Sequence, residues 1–149
     1  MRVEFRVFGY PQPQGSKQAF AYVAKDGKPR ATVVDDNKKP LKVWRDQVDT
    51  AARAALAGRP GFVAHTPLRL DLLFYLRRGK TVQREFPTTK PDFDKLTRAV
   101  ADSLTTSGAI ADDSNVVTST IKKRYAWLPG REGVRVRVTV QPSLKGLVK

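Results

Sequence analysis

The sequence has no cysteine and only one histidine, His65. The lack of cysteine excludes disulfides, thiolate zinc sites and cysteine nucleophiles, and it agrees with a reducing compartment. One histidine cannot build a histidine-rich metal site, and a Ser-His-Asp triad would depend on that residue alone. Because Thr66 and Pro67 follow it, as is typical of a loop before a strand, we interpret His65 as incidental.

Long hydrophobic runs are also missing, whereas a membrane-spanning helix needs about 18 consecutive apolar residues. The first segment, MRVEFRVFGY, alternates apolar and polar residues and does not form the apolar core of a signal peptide. We therefore expect no membrane association and no export, and a cytoplasmic site of action.

Acidic residues are scarce: 14 Asp and Glu stand against 28 Lys and Arg, which gives a formal net charge of +14. Strongly basic proteins bind polyphosphates because binding releases condensed counterions. From residue 121 to residue 149, eight basic residues and one acid give +7, half of the net charge. Nucleic acid is the predicted partner.

The length of 149 residues and the 40% hydrophobic content predict a single domain, residues 1–149, with its own core. Alternating apolar residues predict strands near the start of the chain and in LRLDLLFYL. The Asp26-Gly27 pair between AFAYV and ATVVD predicts a β-hairpin. Apolar residues at helical spacing, Val43 among them, predict a helix from about Lys39 to Leu56.

Two further strands are predicted near the end, VVTSTIKKRYAWL and GVRVRVTVQ, joined as a hairpin around Pro129 and Gly130. In the second of these strands Arg135 and Arg137 share one face, and valines take the other. Together the elements predict an α+β fold with a mixed β-sheet and two main helices.

Against the basic background, the segment DFDKLTRAVADSLTTSGAIADD holds a cluster of acids. It contains five of the 14 acidic residues: Asp92, Asp94, Asp102, Asp112 and Asp113. Like charges held close together repel each other, and a fold that keeps them close usually offsets the repulsion with a cation. Since hard divalent ions prefer oxygen ligands, the cluster predicts a magnesium site.

The same segment has apolar residues with spacings of 3, 4 and 4, which predict one stripe of an amphipathic helix: Phe93, Leu96, Val100 and Leu104. The helix is predicted to end near Gly108. Each acid also has a structural interpretation. Asp92 can cap the helix, Asp94 can interact with the helix dipole, and the Asp112-Asp113 pair can form a turn or a cap.

The stretch KPDFDKLTRAVADSLTTSGAIADDSNVV resembles the signature of the RusA-type Holliday-junction resolvases, which are small endodeoxyribonucleases common in phages and prophages. That signature runs K-P-D-x-D-N-L-x-K, then D-A-L, then G-x-x-x-D-D-x-Q-V. The similarity extends without a gap over about 28 residues. An early stretch, GYPQPQGSK, bears a weaker resemblance to the opening loop of the family, and the order of the other elements also fits.

The resemblance implies that Asp92, Asp94 and Asp113 bind the metal, with Asp112 beside them. Asp102 matches the acid of the D-A-L segment and is interpreted as a partner of Arg98. Among the basic residues, those predicted to contact DNA are Lys17, Lys90, Lys95, Lys122, Lys123, Arg124, Arg135 and Arg137.

Two positions depart from the family pattern. Arg98 stands where the family usually has a catalytically important lysine, and Lys95 stands where it usually has asparagine. Arg98 follows Asp94 by one helical turn, so it can hold a carboxylate or stabilise a charged transition state. A guanidinium stays protonated, so we do not expect a general base there. Lys95, three residues after Asp92, either substitutes for the family lysine or competes with the metal.

We therefore predict a Mg²⁺-dependent, structure-selective endodeoxyribonuclease that resolves Holliday junctions and related branched DNA in recombination and repair. A junction needs two matched cuts, and the chain has one acidic cluster, so a two-fold homodimer is the simplest arrangement. Two alternatives remain: a non-catalytic basic nucleic-acid-binding module, and a metal-dependent phosphatase that acts on nucleotides.

Overall fold

A computed structural model describes residues 1–14, 17–35 and 38–146, without the side chains of residues 17–22 and 31–35. The strands are β1 (Arg2–Phe8), β2 (Lys17–Val23), β3 (Pro29–Asp35), β4 (Leu68–Leu76), β5 (Val116–Tyr125) and β6 (Gly133–Val140). The helices are α1 (Lys38–Leu56) and α2 (Phe93–Thr106), and a short 3₁₀ turn, Asp113–Asn115, precedes β5.

Four strands form a mixed sheet in the order β1-β6-β4-β5. β6 is antiparallel to both of its neighbours, β1 and β4, whereas β4 and β5 are parallel. β2 and β3 form a separate two-stranded antiparallel sheet around Asp26 and Gly27, which confirms the predicted hairpin. The mixed sheet and the two helices confirm the predicted α+β class.

Strand β4 lies inside the sheet, and its buried side chains alternate with partly buried ones over its whole length. One face is buried along the strand by Leu68, Leu70, Leu72, Phe74 and Leu76. Val134, Val136 and Val138 of β6 belong to the same hydrophobic cluster as most of the buried residues of both helices, so the helices cover this inner face. Trp44 and Val48 of α1 are fully buried in it.

The predicted hairpin between the last two strands is wrong, because β4 lies between β5 and β6. Parallel strands need a long crossover connection, and α2 provides it between β4 and β5. The apolar inner face of β4 is best buried when both of its edges are paired. Pairing of β5 and β6 with the two edges of β4 is therefore favoured over pairing of β5 with β6, although those two strands are adjacent in sequence.

Two apolar residues assigned to helix stripes are exposed instead of buried. Val43 of α1 is 60% exposed, because the buried stripe of that helix is centred on Trp44 and Val48. Phe93 is 58% exposed, because it is the first residue of α2 and lies outside the part of the helix that packs on the sheet. The predicted extents of both helices are otherwise confirmed.

Neither described helix is both long and apolar enough to span a membrane.

Candidate active site

The first two acids of the cluster lie at the start of α2. Asp92 is the N-cap residue, and its carbonyl accepts a hydrogen bond of 3.1 Å from the backbone N–H of Leu96. Its carboxylate makes no capping hydrogen bond. The capping interpretation therefore holds for the backbone of Asp92 and is wrong for its side chain, which keeps its acceptor capacity.

Asp92 and Asp94 line an open cavity of about 840 Å³. The other residues that line this acidic cavity are Thr88, Thr89, Lys90, Phe93 and Lys123. It thus combines two carboxylates, two lysines and an exposed aromatic ring at a helix N-terminus. Positive backbone charge at such a terminus attracts anions, including phosphate.

Lys123 of β5 holds the segment that leads into the site. Its ammonium group donates hydrogen bonds of 2.8 Å to the carbonyl oxygens of Thr89 and Pro91. Burial lowers the pKa of Lys123, and the nearby charge of Asp92 partly opposes that effect. The position of Asp92 therefore depends on β5 as well as on α2. The role of Lys123 as a DNA contact stays a prediction.

Lys95 lies close to the first acid of the site. Its Nζ is 4.0 Å from Oδ2 of Asp92, which places a positive charge at the edge of that carboxylate. The pair lies at the limit of an ion pair, and the Asp92 side chain is 48% exposed, so the attraction is weak. Competition between Lys95 and a bound cation is consistent with this geometry.

The remaining acids meet at the entrance to β5. Asp112 accepts a hydrogen bond of 2.8 Å from the backbone N–H of Ser114, so its structural interpretation as a cap is correct. The hydrogen bonds from Ser114 lower the pKa of Asp112. The pKa of Asp113 is raised, first by desolvation and then by its hydrogen bond to Asp112 and by the charges of Asp112 and Asp102.

The structure thus divides the predicted acidic residues into two groups: Asp92 with Asp94, and Asp113 with Asp112 and Asp102. Within the described residues, no three acidic or histidine side chains are placed to hold one metal ion. The chemistry of both groups still fits a divalent cation. The first offers an uncapped carboxylate, and the second contains a carboxyl whose ionised form is disfavoured by desolvation and by like charges, both of which a cation would offset.

Arg98 is exposed on the outer side of α2. In the described part of the chain it has no hydrogen-bond or ion-pair partner, so the structure does not contain the predicted pair with Asp102. The Asp102 charge acts on Asp113 instead. Only a weak sequence signal points to this interaction, because Asp102 and Asp113 are connected through the turn that follows α2.

The raised pKa of Asp113 predicts that Asp113→Asn stabilises the metal-free protein at neutral pH. A carboxyl with a raised folded-state pKa costs stability once the pH exceeds its unfolded pKa, because ionisation is then disfavoured in the fold. The opposite holds for Asp112, whose lowered pKa contributes stability above its unfolded value, so Asp112→Ala is expected to destabilise.

Thermal denaturation in EDTA at pH 7 measures both effects. Addition of Mg²⁺ should raise the melting temperature of the wild type more than that of Asp113→Asn, because a ligand of the folded state stabilises by mass action. An equal rise in the two proteins would remove Asp113 from the ion-binding residues.

Several predicted DNA contacts lie on the outer face of the sheet, opposite the helices. Lys122, Arg135 and Arg137 line a shallow cavity of about 300 Å³ there. Asp71 of β4, which the sequence analysis missed, forms ion pairs of 3.1 Å with both Arg137 and Arg69. Its signal was a single acid, two residues after Arg69, within a largely apolar strand. Asp71 offsets part of the charge of Arg137, whereas Arg135 remains exposed.

Of the other predicted DNA contacts, Lys90 lines the acidic cavity. Arg124 donates a hydrogen bond of 2.9 Å to the carbonyl oxygen of Lys123, and its guanidinium lies 5.1 Å from the centre of the Phe86 ring. Lys17 is the first residue of β2, and its side chain lies outside the described residues. DNA contact by these residues stays a prediction.

Comparison with protein-family models matches residues 11–141 to the endodeoxyribonuclease RusA family. A search of curated proteins finds no match to the chain. The family match contains the whole of α2, the acidic residues at both of its ends and five of the six strands. Nucleases of this family generally depend on a divalent metal ion. Since the match spans most of the 149 residues, the chain belongs to the RusA endodeoxyribonuclease family and is a nuclease.

Proposed function

We propose that this protein is a Mg²⁺-dependent, structure-selective endonuclease that resolves Holliday junctions, and that it acts in the cytoplasm of a bacterial or phage-infected host cell. Family membership implies resolvase activity and branched DNA as the substrate. The observation that carries the proposal is the uncapped carboxylate of Asp92, beside Asp94, in a cavity flanked by lysines. A helix that needed this acid only as a cap would use its side chain.

In the proposed reaction Asp92 and Asp94, from one acidic group, and Asp113, from the other, would hold one or two metal ions. The chemistry that Mg²⁺ would supply there is activation of a water molecule and stabilisation of the leaving oxygen of the phosphodiester. Lys123 keeps the Thr89–Pro91 segment in place through its two carbonyl hydrogen bonds, and so positions Asp92. The N-terminus of α2 and Lys90 attract the scissile phosphate. Arg98 stabilises the charge that develops there.

Two active sites are needed for two matched cuts, so we propose a two-fold homodimer. The outer sheet face around Arg135 then binds a DNA arm. Lys123 shares a face with its register partner Phe74, which is buried under the helices, so the acidic cavity and Arg135 lie on opposite faces of the sheet. A single DNA segment that contacts both the acidic cavity and Arg135 must pass around the edge of the sheet at β5. Otherwise two different arms of the DNA contact the two faces. A branched substrate offers such arms.

The test is cleavage of a synthetic four-way junction and of a linear duplex with the same sequences, in Mg²⁺ and in EDTA. We expect paired cuts in opposed strands of the junction, only in Mg²⁺, and little cutting of the duplex. Junction binding without any cutting in Mg²⁺ would favour the non-catalytic binding module. Release of phosphate from free nucleotides would favour the phosphatase. Light scattering coupled to size-exclusion chromatography measures the oligomeric state.

A further inference from the structure

A second cavity of about 340 Å³ borders the acidic cavity, and Thr89 and Lys90 line both of them. We call it the side cleft. Its walls include the aromatic rings of Tyr10 and Tyr125. Because the same two residues of the chain separate the cavities, a DNA strand with its phosphate at the acids would place a neighbouring nucleotide at the side cleft.

The side cleft is held in shape by Arg78. This guanidinium donates hydrogen bonds of 3.1 Å to the carbonyl oxygens of Val82 and Arg84, and it lies 5.4 Å from the centre of the Tyr125 ring. The 78–84 loop is thereby fixed against β5. Pro11, another lining residue, is buried. The cleft is therefore formed before any ligand binds, which lowers the ordering cost of binding.

The chemistry of the walls selects for one kind of ligand. Among the described residues that line the side cleft, the charged ones are the cations Arg77, Arg84 and Lys90, with no acid. Apolar and aromatic walls with a few cations fit a flat aromatic group attached to phosphate. Tyr10 lines this cleft although 60% of it is exposed, so its ring is open to a stacking partner.

We propose that the side cleft binds an unstacked nucleobase of the DNA substrate, in the nucleotide next to the scissile phosphate, with Tyr10 as its stacking partner. This inference rests on the proposed junction-resolving function. Bases at a branch point have already lost part of their stacking, so moving one into a pocket costs less than in a duplex. The cleft would then determine which base is preferred beside the cut.

The test uses four-way junctions with 2-aminopurine, a fluorescent adenine analogue, beside the branch point, bound by the full-length protein in EDTA. Tyr10→Ala should weaken junction binding about tenfold, the loss expected for one stacked base. It should also leave the bound 2-aminopurine brighter than in the wild-type complex, because the quenching ring is gone. Tyr10→Phe should match the wild type in both. Linear duplex binding should be unchanged in both variants.

Phe8→Ala is the matched control, since Phe8 is also exposed, at 52%, but alternates in β1 with the buried Val7 and faces the outer side of the sheet. It should leave the 2-aminopurine signal unchanged. In Mg²⁺, Tyr10→Ala should also lose the preference of the wild type among junctions that carry each of the four bases beside the cut.

Unchanged binding and fluorescence in Tyr10→Ala, with normal cutting by the wild type, would overturn the nucleobase site alone. Equal losses on junction and duplex would also overturn it, because Tyr10 would then contact the DNA backbone. If the wild type itself neither prefers nor cuts junctions, the proposed function fails, and the inference fails with it.

Discussion

Asp92→Asn, Asp94→Asn and Asp113→Asn are each expected to abolish junction cleavage while junction binding stays intact or becomes tighter. Stabilisation of charge by a catalytic metal is worth several kcal/mol, so its loss should slow cleavage by about a thousandfold or more. Removal of one negative charge should at the same time reduce repulsion of the DNA backbone. Single-turnover cleavage and equilibrium binding, measured on the same junction, separate the two effects.

Asp46→Asn provides the control for charge alone. Asp46 lies on α1, is exposed and pairs with Lys42 at 2.7 Å, so its substitution removes the same charge away from the acidic cavity. It should bind slightly tighter and cut normally. Near-normal cutting by any one of the three site variants would remove that residue from the active site.

Asp102→Asn is expected to have a milder effect than these three. It lies eight residues after Asp94 in α2, about 12 Å further along the helix axis. Its charge acts on Asp113, so its substitution should change the ionisation of that residue more than the binding of the metal.

Arg98→Ala is expected to lose most of the cleavage rate, about a hundredfold, whereas Arg98→Lys should keep a substantial share of it. Arg98 is exposed one turn after Asp94, and a fixed positive charge there can stabilise a phosphate in its transition state. Lysine supplies the same charge without the planar guanidinium. The rate at saturating enzyme isolates the chemical step from binding.

Arg135→Ala is the control, because Arg135 is exposed on the outer face of the sheet. It should weaken binding and leave the rate at saturating enzyme unchanged.

If Lys95 supplies the catalytic charge instead, Lys95→Ala will be the damaging change and Arg98→Ala will be tolerated. In a slow wild-type enzyme, Lys95→Asn should raise the rate, since it removes a cation 4.0 Å from the Asp92 carboxylate. A further fall in rate would contradict that explanation.

The sequence by itself determined the elements whose cause is local. The alternation in β4 predicts a strand with one buried face, and the Asp26-Gly27 pair between two apolar runs favours the tight turn of a hairpin. The spacing of apolar residues predicted the amphipathic helix α2, and the acids in the same segment predicted a cluster of negative charge at its ends. The motif around it was enough to indicate the family, because closely spaced residues of one segment carry it.

The tertiary structure decided the features that depend on residues far apart in the chain. Pairing of β4 at both edges separated β5 from β6. Phe93, the first residue of α2, is exposed beside the acids because it lies outside the part of the helix that packs on the sheet. The bonds from Lys123 to the segment before Asp92, and the pairing of Asp71 with Arg137, join strands and loops that no local pattern connects. Such contacts follow from which surfaces are buried together, and that is settled only when the whole chain packs.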